Sequence, residues 1–142
     1  GDYQFVYYHG GDGNVTAVPG QLAYLAISGT TTVPVYTVTQ DVDTTTAIDT
    51  GIAMAWGEFV SALTTGKYGW IKKRGLNYTA TPTETSGVAA IGDQIVAGAT
   101  QGKVDGITAG TACSPVIGRA RAIGVGDSVV AGGILWDFPG QG

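Results

Sequence analysis

Turn signals recur about every ten residues along this chain, a spacing that leaves room for short strands and little else. The clearest are Gly10-Gly11-Asp12-Gly13-Asn14, Gly66-Lys67, Gly92-Asp93, Gln101-Gly102, Gly126-Asp127 and Pro139-Gly140. Glycine, Asn and Asp supply the positive φ values that tight turns need. The stretches between them are rich in β-branched and aromatic residues, which fit a pleated, half-buried surface. The expectation is an all-β fold: a compact β-barrel or β-sandwich with an extended N-terminal arm. Residues 1–20 read as the arm or an edge strand, and 21–142 as a single β domain. A chain of 142 residues can bury roughly 68–70% of its unfolded surface, enough for a core without covalent staples.

The segment from Gly66 to Gly75 (Gly-Lys-Tyr-Gly-Trp-Ile-Lys-Lys-Arg-Gly) reads as the organising strand. Alternation puts Tyr68 and Trp70 on one face and Ile71 on the other. Trp70 is the expected core anchor, because an indole carries a large apolar area. Lys72, Lys73 and Arg74 are expected to carry the strand into water, with contact to an acidic partner surface as the functional alternative. Gln21 to Ile27 is apolar on both faces, hence a buried strand. Ile52 to Leu63 has apolar residues at helical spacing, but Gly57 in a helix costs about 1 kcal/mol relative to Ala. Two short strands broken near Trp56-Gly57-Glu58 are expected there. Farther on, Gly118, Ala120 and Ala122 form a small-residue face with Ile117, Arg119, Arg121 and Ile123 opposite. Val130, Ile134, Trp136 and Phe138 share one face of the last strand, after a bend at Gly132-Gly133.

Charge narrows the function classes. Only 13% of residues are charged, against roughly 25% in an average domain. A surface of Thr, Ser, Gly, Ala and Gln suits a chain packed against neighbours. The net charge of −4 and seven basic residues offer no stripe to track a phosphate backbone, so no nucleic-acid partner is expected. No run of 18 apolar residues occurs, so no membrane-spanning helix and no membrane partner are expected.

Catalytic and metal chemistry find little footing. The lone histidine, His9, sits in a glycine-rich turn, a poor place to hold a general base. The single cysteine, Cys113, excludes an intrachain disulfide and reads as a small buried hydrophobe. One Cys and one His exclude a zinc site within one chain. Asp41, Asp43 and Asp49 share a loop and could offer oxygens to calcium, but lack EF-hand spacing, so they read as solvated turn residues. Glu58 and Glu84 have no evident mate for a glycosidase pair. Gly124-Val125-Gly126 lacks the third glycine and the helix of a dinucleotide loop. No enzyme activity, cofactor or metal is expected. The sequence points instead to Tyr3, Phe5, Tyr7 and Tyr8, four aromatics in six residues, as a partner-contacting arm together with Lys72, Lys73 and Arg74.

Several pieces taken in order carry a resemblance: Gly51-Ile52-Ala53-Met54-Ala55, Gly66-Lys67-Tyr68-Gly69-Trp70-Ile71, Arg74-Gly75, Gly92-Asp93-Gln94-Ile95-Val96 with Gln101-Gly102-Lys103-Val104, and Ile117-Gly118-Arg119-Ala120. From about Thr50 to Phe138 the chain resembles the decoration (cement) proteins on the outer surface of tailed-phage capsids. The first 50 residues match less well. The resemblance implies a β-barrel or sandwich, a homotrimer, and the major capsid protein as partner, with the chain seated where coat subunits meet on the virion. The alternatives are a tail, neck or head-fibre component, or a glycan-binding β-sandwich. For a glycan binder, Trp56 with Glu58 and Trp136 with Asp137 are the aromatic–acid pairs to inspect.

Overall fold

The computed structural model describes residues 2–11, 13–25, 35–41, 54–85, 87–107, 115–124 and 128–140. Eleven strands occur among them: β1 (Asp2–Tyr8), β2 (Leu22–Leu25), β3 (Thr37–Thr39), β4 (Met54–Phe59), β5 (Tyr68–Leu76), β6 (Thr81–Pro82), β7 (Gln94–Ala97), β8 (Val104–Ile107), β9 (Gly118–Ala120), β10 (Ser128–Val129) and β11 (Ile134–Asp137). Nine of them form one sheet in the order β1-β3-β2-β4-β5-β11-β9-β7-β8, and β1 also pairs with β5. That extra pairing closes the first five strands into a barrel. The fold is therefore all-β, as the turn spacing predicts.

The N-terminal segment is built into the barrel wall. Strand β1 runs parallel to β3 on one side, with Tyr7 opposite Thr37. On the other it runs antiparallel to β5 from Asp2 opposite Arg74 to Tyr7 opposite Tyr68. Strand β4 is a single strand. The break expected near Trp56 is a bulge, where the pairing with β2 jumps from Ala23–Gly57 to Tyr24–Ala55. The bulge lets Trp56 and Gly57 both face the barrel interior, where a Cβ on Gly57 would collide with Ile71.

Two cores follow from this arrangement. Inside the barrel, Val6, Tyr8, Ala23, Val38, Trp56, Phe59 and Ile71 pack together. Strands β2 and β4 send their other faces outward, and the β11-β9-β7-β8 extension covers them. There Leu22, Tyr24 and Ala55 meet Ile95, Val104, Ile134, Trp136 and Phe138. Burial on both faces explains why Leu22–Leu25 shows no polar alternation. Gly20 stands at the entry to β2 with φ +90, and a Cβ there would run into the Ala80 carbonyl. Small size and a left-handed backbone are both required at that point.

Trp70 is not a core anchor: it is 51% exposed, whereas Trp136 is 2% exposed and Trp56 is buried. Lys73 also departs from expectation. It is buried at 1% exposure, where the β1–β5 register shifts beside Asp2 and Tyr3. Strand β4 leaves β5 after Lys72, and β11 takes up the same edge from Arg74 onward. The Lys73 ammonium fills that junction, donating to the carbonyls of Trp56 and Pro139. It also lies 3.8 Å from the centroid of the Trp56 ring. A buried charge persists only when so partnered. Ile117 faces the core at 2% exposure instead of sharing the outer side of Arg119, because it precedes β9 and escapes strict alternation.

Candidate interaction surface

The second layer covers the barrel on the β2/β4 side and leaves the outer face of β1 and β5 open. Alternation along β1 turns Val6 and Tyr8 inward, so Tyr3, Phe5 and Tyr7 point out. Along β5 it turns Gly69, Ile71 and Lys73 inward, so Tyr68, Trp70, Lys72 and Arg74 point out. The antiparallel register then stacks these side chains in rows: Tyr7 with Tyr68, Phe5 with Trp70, and Tyr3 with Lys72.

The rings touch across the strands. Phe5 and Tyr68 stack at 5.7 Å with an interplanar angle of 9°. Phe5 meets Trp70 at 5.0 Å and 60°, and Tyr7 meets Tyr68 edge-on at 5.2 Å. The Lys72 ammonium lies over the Tyr3 ring, 5.4 Å from its centroid. Such pairs contribute about 0.5–1.5 kcal/mol each beyond area burial, and an exposed cation–π contact about 0.5–1 kcal/mol. The ladder holds its own shape while Tyr3, Phe5, Tyr68 and Trp70 each keep 40% or more of their surface in water. A contiguous row of exposed rings of this kind makes the face a candidate contact surface.

Arg74 ends the aromatic rows. Its Nη1 donates to Asp2 at 3.1 Å and its Nε to Asp137 at 3.3 Å. These hydrogen bonds, first that to Asp2 and then that to Asp137, raise its pKa further. Beyond it, Leu76 lies beside Leu135, and Leu135 beside Arg119. Leu76 and Leu135 are exposed, and Arg119 projects outward between the buried Gly118 and Ala120.

Of the residues expected at a partner interface, the fold brings Tyr3, Phe5, Tyr7, Lys72 and Arg74 onto this one face. Tyr8 and Lys73 point into the barrel instead. The Tyr8 hydroxyl donates to the Val15 carbonyl at 2.5 Å, and burial pushes its pKa up to about 12. Sequence reasoning missed Tyr68 and Trp70 as surface residues. The signal was present, since both share a face with Lys72 at two-residue spacing, and that face ends in charge.

The two aromatic–acid pairs weighed for glycan binding are not surface platforms. The Trp56 indole donates to Gln4 Oε1 at 2.9 Å, and the Trp136 indole to Glu58 Oε1 at 2.9 Å. Glu58 is fully buried. Its carboxylate also accepts from the backbone N–H groups of Tyr78 at 2.8 Å and Thr79 at 3.3 Å. Burial raises its pKa above the ordinary carboxyl value, opposed by those donors. His9 Nδ1 accepts from Gly11 N–H at 3.0 Å and so braces its own turn. Asp41 is buried and accepts from Gly13 N–H at 3.0 Å, which corrects its reading as a solvated aspartate. Asp43, Asp49 and Cys113 lie outside the described residues. Among the described residues, no group of three or more His, Cys, Asp or Glu side chains is placed to hold a metal ion. No helix among them is long and apolar enough to cross a membrane. Comparison with known protein families, with curated proteins and with solved structures finds no match.

Proposed function

We propose that this chain is a structural virion protein that binds the outer surface of a mature tailed-phage capsid at coat-subunit junctions and stabilises it. The observation that carries the reading is the aromatic ladder on paired strands of a closed barrel, with Tyr3, Phe5, Tyr68 and Trp70 exposed and Tyr7 half-buried. A contact surface already rigid before docking loses little conformational freedom on binding. Aromatic residues are the type most enriched at such contacts. The resemblance to decoration proteins supplies the partner class, and its segments from Gly66 onward fall largely on β5, β7, β8 and β9. Gly51, Ile52 and Ala53 lie outside the described residues.

The partners under this reading are the major capsid protein and further copies of the chain, arranged as a homotrimer on the shell. The mechanism is mass action. A protein that binds only the mature shell stabilises it by RT ln(1 + [L]/Kd), about 2.7 kcal/mol per site at a hundredfold excess over Kd. The test is copy number against the major coat protein, by quantitative mass spectrometry of purified source particles. A fixed simple ratio supports a lattice-covering protein. A few copies per particle would reassign the chain to a tail, neck or head fibre, and absence from particles would end the reading.

A further inference from the structure

We propose that the outer face of β1, β5, β11 and β9 receives an extended, acidic polypeptide segment that carries aromatic side chains. The inference rests on reading this face as the docking surface and is independent of which particle bears the partner. Charge segregation is the first support. The chain as a whole carries four more acidic than basic residues. On this face, however, three cations (Lys72, Arg74 and Arg119) stand against two carboxylates, Asp2 and Asp137. Both carboxylates are spent on Arg74. Arg119 sits between Gln94 and Leu135 in its cross-strand row, and it has no acidic partner among the described residues. Lys72 lies over the Tyr3 ring, and its charge also acts on the buried Glu58 opposite it on β4. An acidic partner complements Arg119, the cation on this face without an acidic neighbour among the described residues, and is steered toward it.

Shape is the second support. Beside Arg119 lies a shallow depression of about 710 Å³, lined by Val116, Leu135 and Asp137 among others. It is roomy enough for a side chain ending in a carboxylate. Arg119 offers the planar fork that binds such a group through two parallel hydrogen bonds. The row holding Arg119, Leu135 and Leu76 is six residues along β5 from Trp70, about 20 Å at strand rise. One extended segment of a partner spans that distance, with a carboxylate at the arginine end and aromatic side chains over the ladder. Both edges of β5 are already paired, so the segment binds through side chains across the face and cannot add to the sheet as a strand.

The experiment is an NMR titration of the full chain with a random copolymer of glutamate and tyrosine. Polyglutamate and a copolymer of lysine and tyrosine are the comparisons. The indole N–H signals report separate places, since Trp56 is bonded inside the barrel, Trp136 is bonded inside the fold beneath the depression, and Trp70 lies on the face. The glutamate–tyrosine copolymer is expected to move the Trp70 indole and Arg119 Nε–H signals, leaving that of Trp56 in place. Arg119→Glu and Trp70→Ser, each shown to be folded by an unshifted Trp56 signal, should weaken binding about tenfold or more. The proposal is overturned if neither reporter signal moves, or if both variants bind as tightly as the parent. Equal binding of polyglutamate or of the lysine–tyrosine copolymer would also overturn it. So would concentration-dependent movement of the Trp70 signal without copolymer, which would assign the face to a second copy of the chain.

Discussion

The Trp136 indole donates its N–H to the carboxylate of Glu58, 78 residues away, at 2.9 Å inside the fold. This contact joins the barrel strand β4 to β11 of the covering layer. The same carboxylate takes the Tyr78 and Thr79 N–H groups of the turn after β5. Glu58 thus gathers three otherwise unanswered donors at the seam between the two cores.

Glu58→Ala should therefore cost about 3 kcal/mol or more, because each stranded donor costs about 1–3 kcal/mol. Glu58→Gln, which keeps the shape and one carbonyl, should lose less. Urea unfolding midpoints measure both. The folded pKa is raised above its ordinary 4.5. Its contribution to stability is then full below that value and is lost as pH rises through the folded pKa. Glu58→Gln should remove this part of the slope. An unchanged midpoint in Glu58→Ala would refute the seam role.

The tryptophans should divide by position. Trp136→Ala empties a filled core site and should cost about 3–5 kcal/mol. Trp70→Ser removes a ring from the surface ladder and should cost about 1 kcal/mol, the worth of its contact with Phe5. Chemical denaturation of the two variants side by side checks the order. Equal losses would mean that Trp70 packs more deeply than its exposure indicates.

Alkaline pH should first raise stability and then lower it. Burial lowers the Lys73 pKa from 10.5 to about 8. Between those values the unfolded chain binds the extra proton, so stability rises with pH. Burial raises Tyr8 and Tyr24 from 10.0 to about 12. Their contribution is intact below pH 10 and fades as pH climbs through the folded value. The two trends meet near pH 10, where stability on this alkaline side should peak. Urea midpoints across this range, compared between the parent and Lys73→Met, isolate the lysine. A variant that keeps the rise would rule out Lys73 as its source.

Gly20→Ala should destabilise by more than the ordinary glycine-to-alanine gain of about 0.4–1 kcal/mol could offset. Its positive φ and the collision with the Ala80 carbonyl act together. By contrast Gly66, with φ +91 and open space at its Cβ position, should show only the backbone strain. Thermal midpoints of the two alanine variants test the difference.

Much of the fold could be read from punctuation. Gly92-Asp93 does precede β7, Gln101-Gly102 does turn β7 into β8, and Gly118 and Ala120 do face inward. Sequence reasoning failed where layers meet. Trp70 has the composition of a core residue, and only the partner on the far side of a strand decides which face is covered. Lys73 was misread for the related reason that a bulge and a strand exchange created a carbonyl-lined hole that no local pattern announces. The surface site was half legible. Its β1 aromatics stood out by density, whereas joining them to Tyr68, Trp70 and Arg119 required the register of three strand pairs.

Barrel closure through β1 and β5 also constrains how the chain comes to be folded. Strand β1 ends at Tyr8, and the strand that closes on it begins only at Tyr68. At a synthesis rate of about 5–20 residues per second, the tyrosine-rich first strand waits for seconds without its main partner. Folding dominated by such distant pairings is slow. The same aromatic rows that form the proposed contact face on the finished molecule are then an aggregation hazard on the nascent one, so recovery of soluble protein should depend on growth temperature and chaperone supply more than on equilibrium stability.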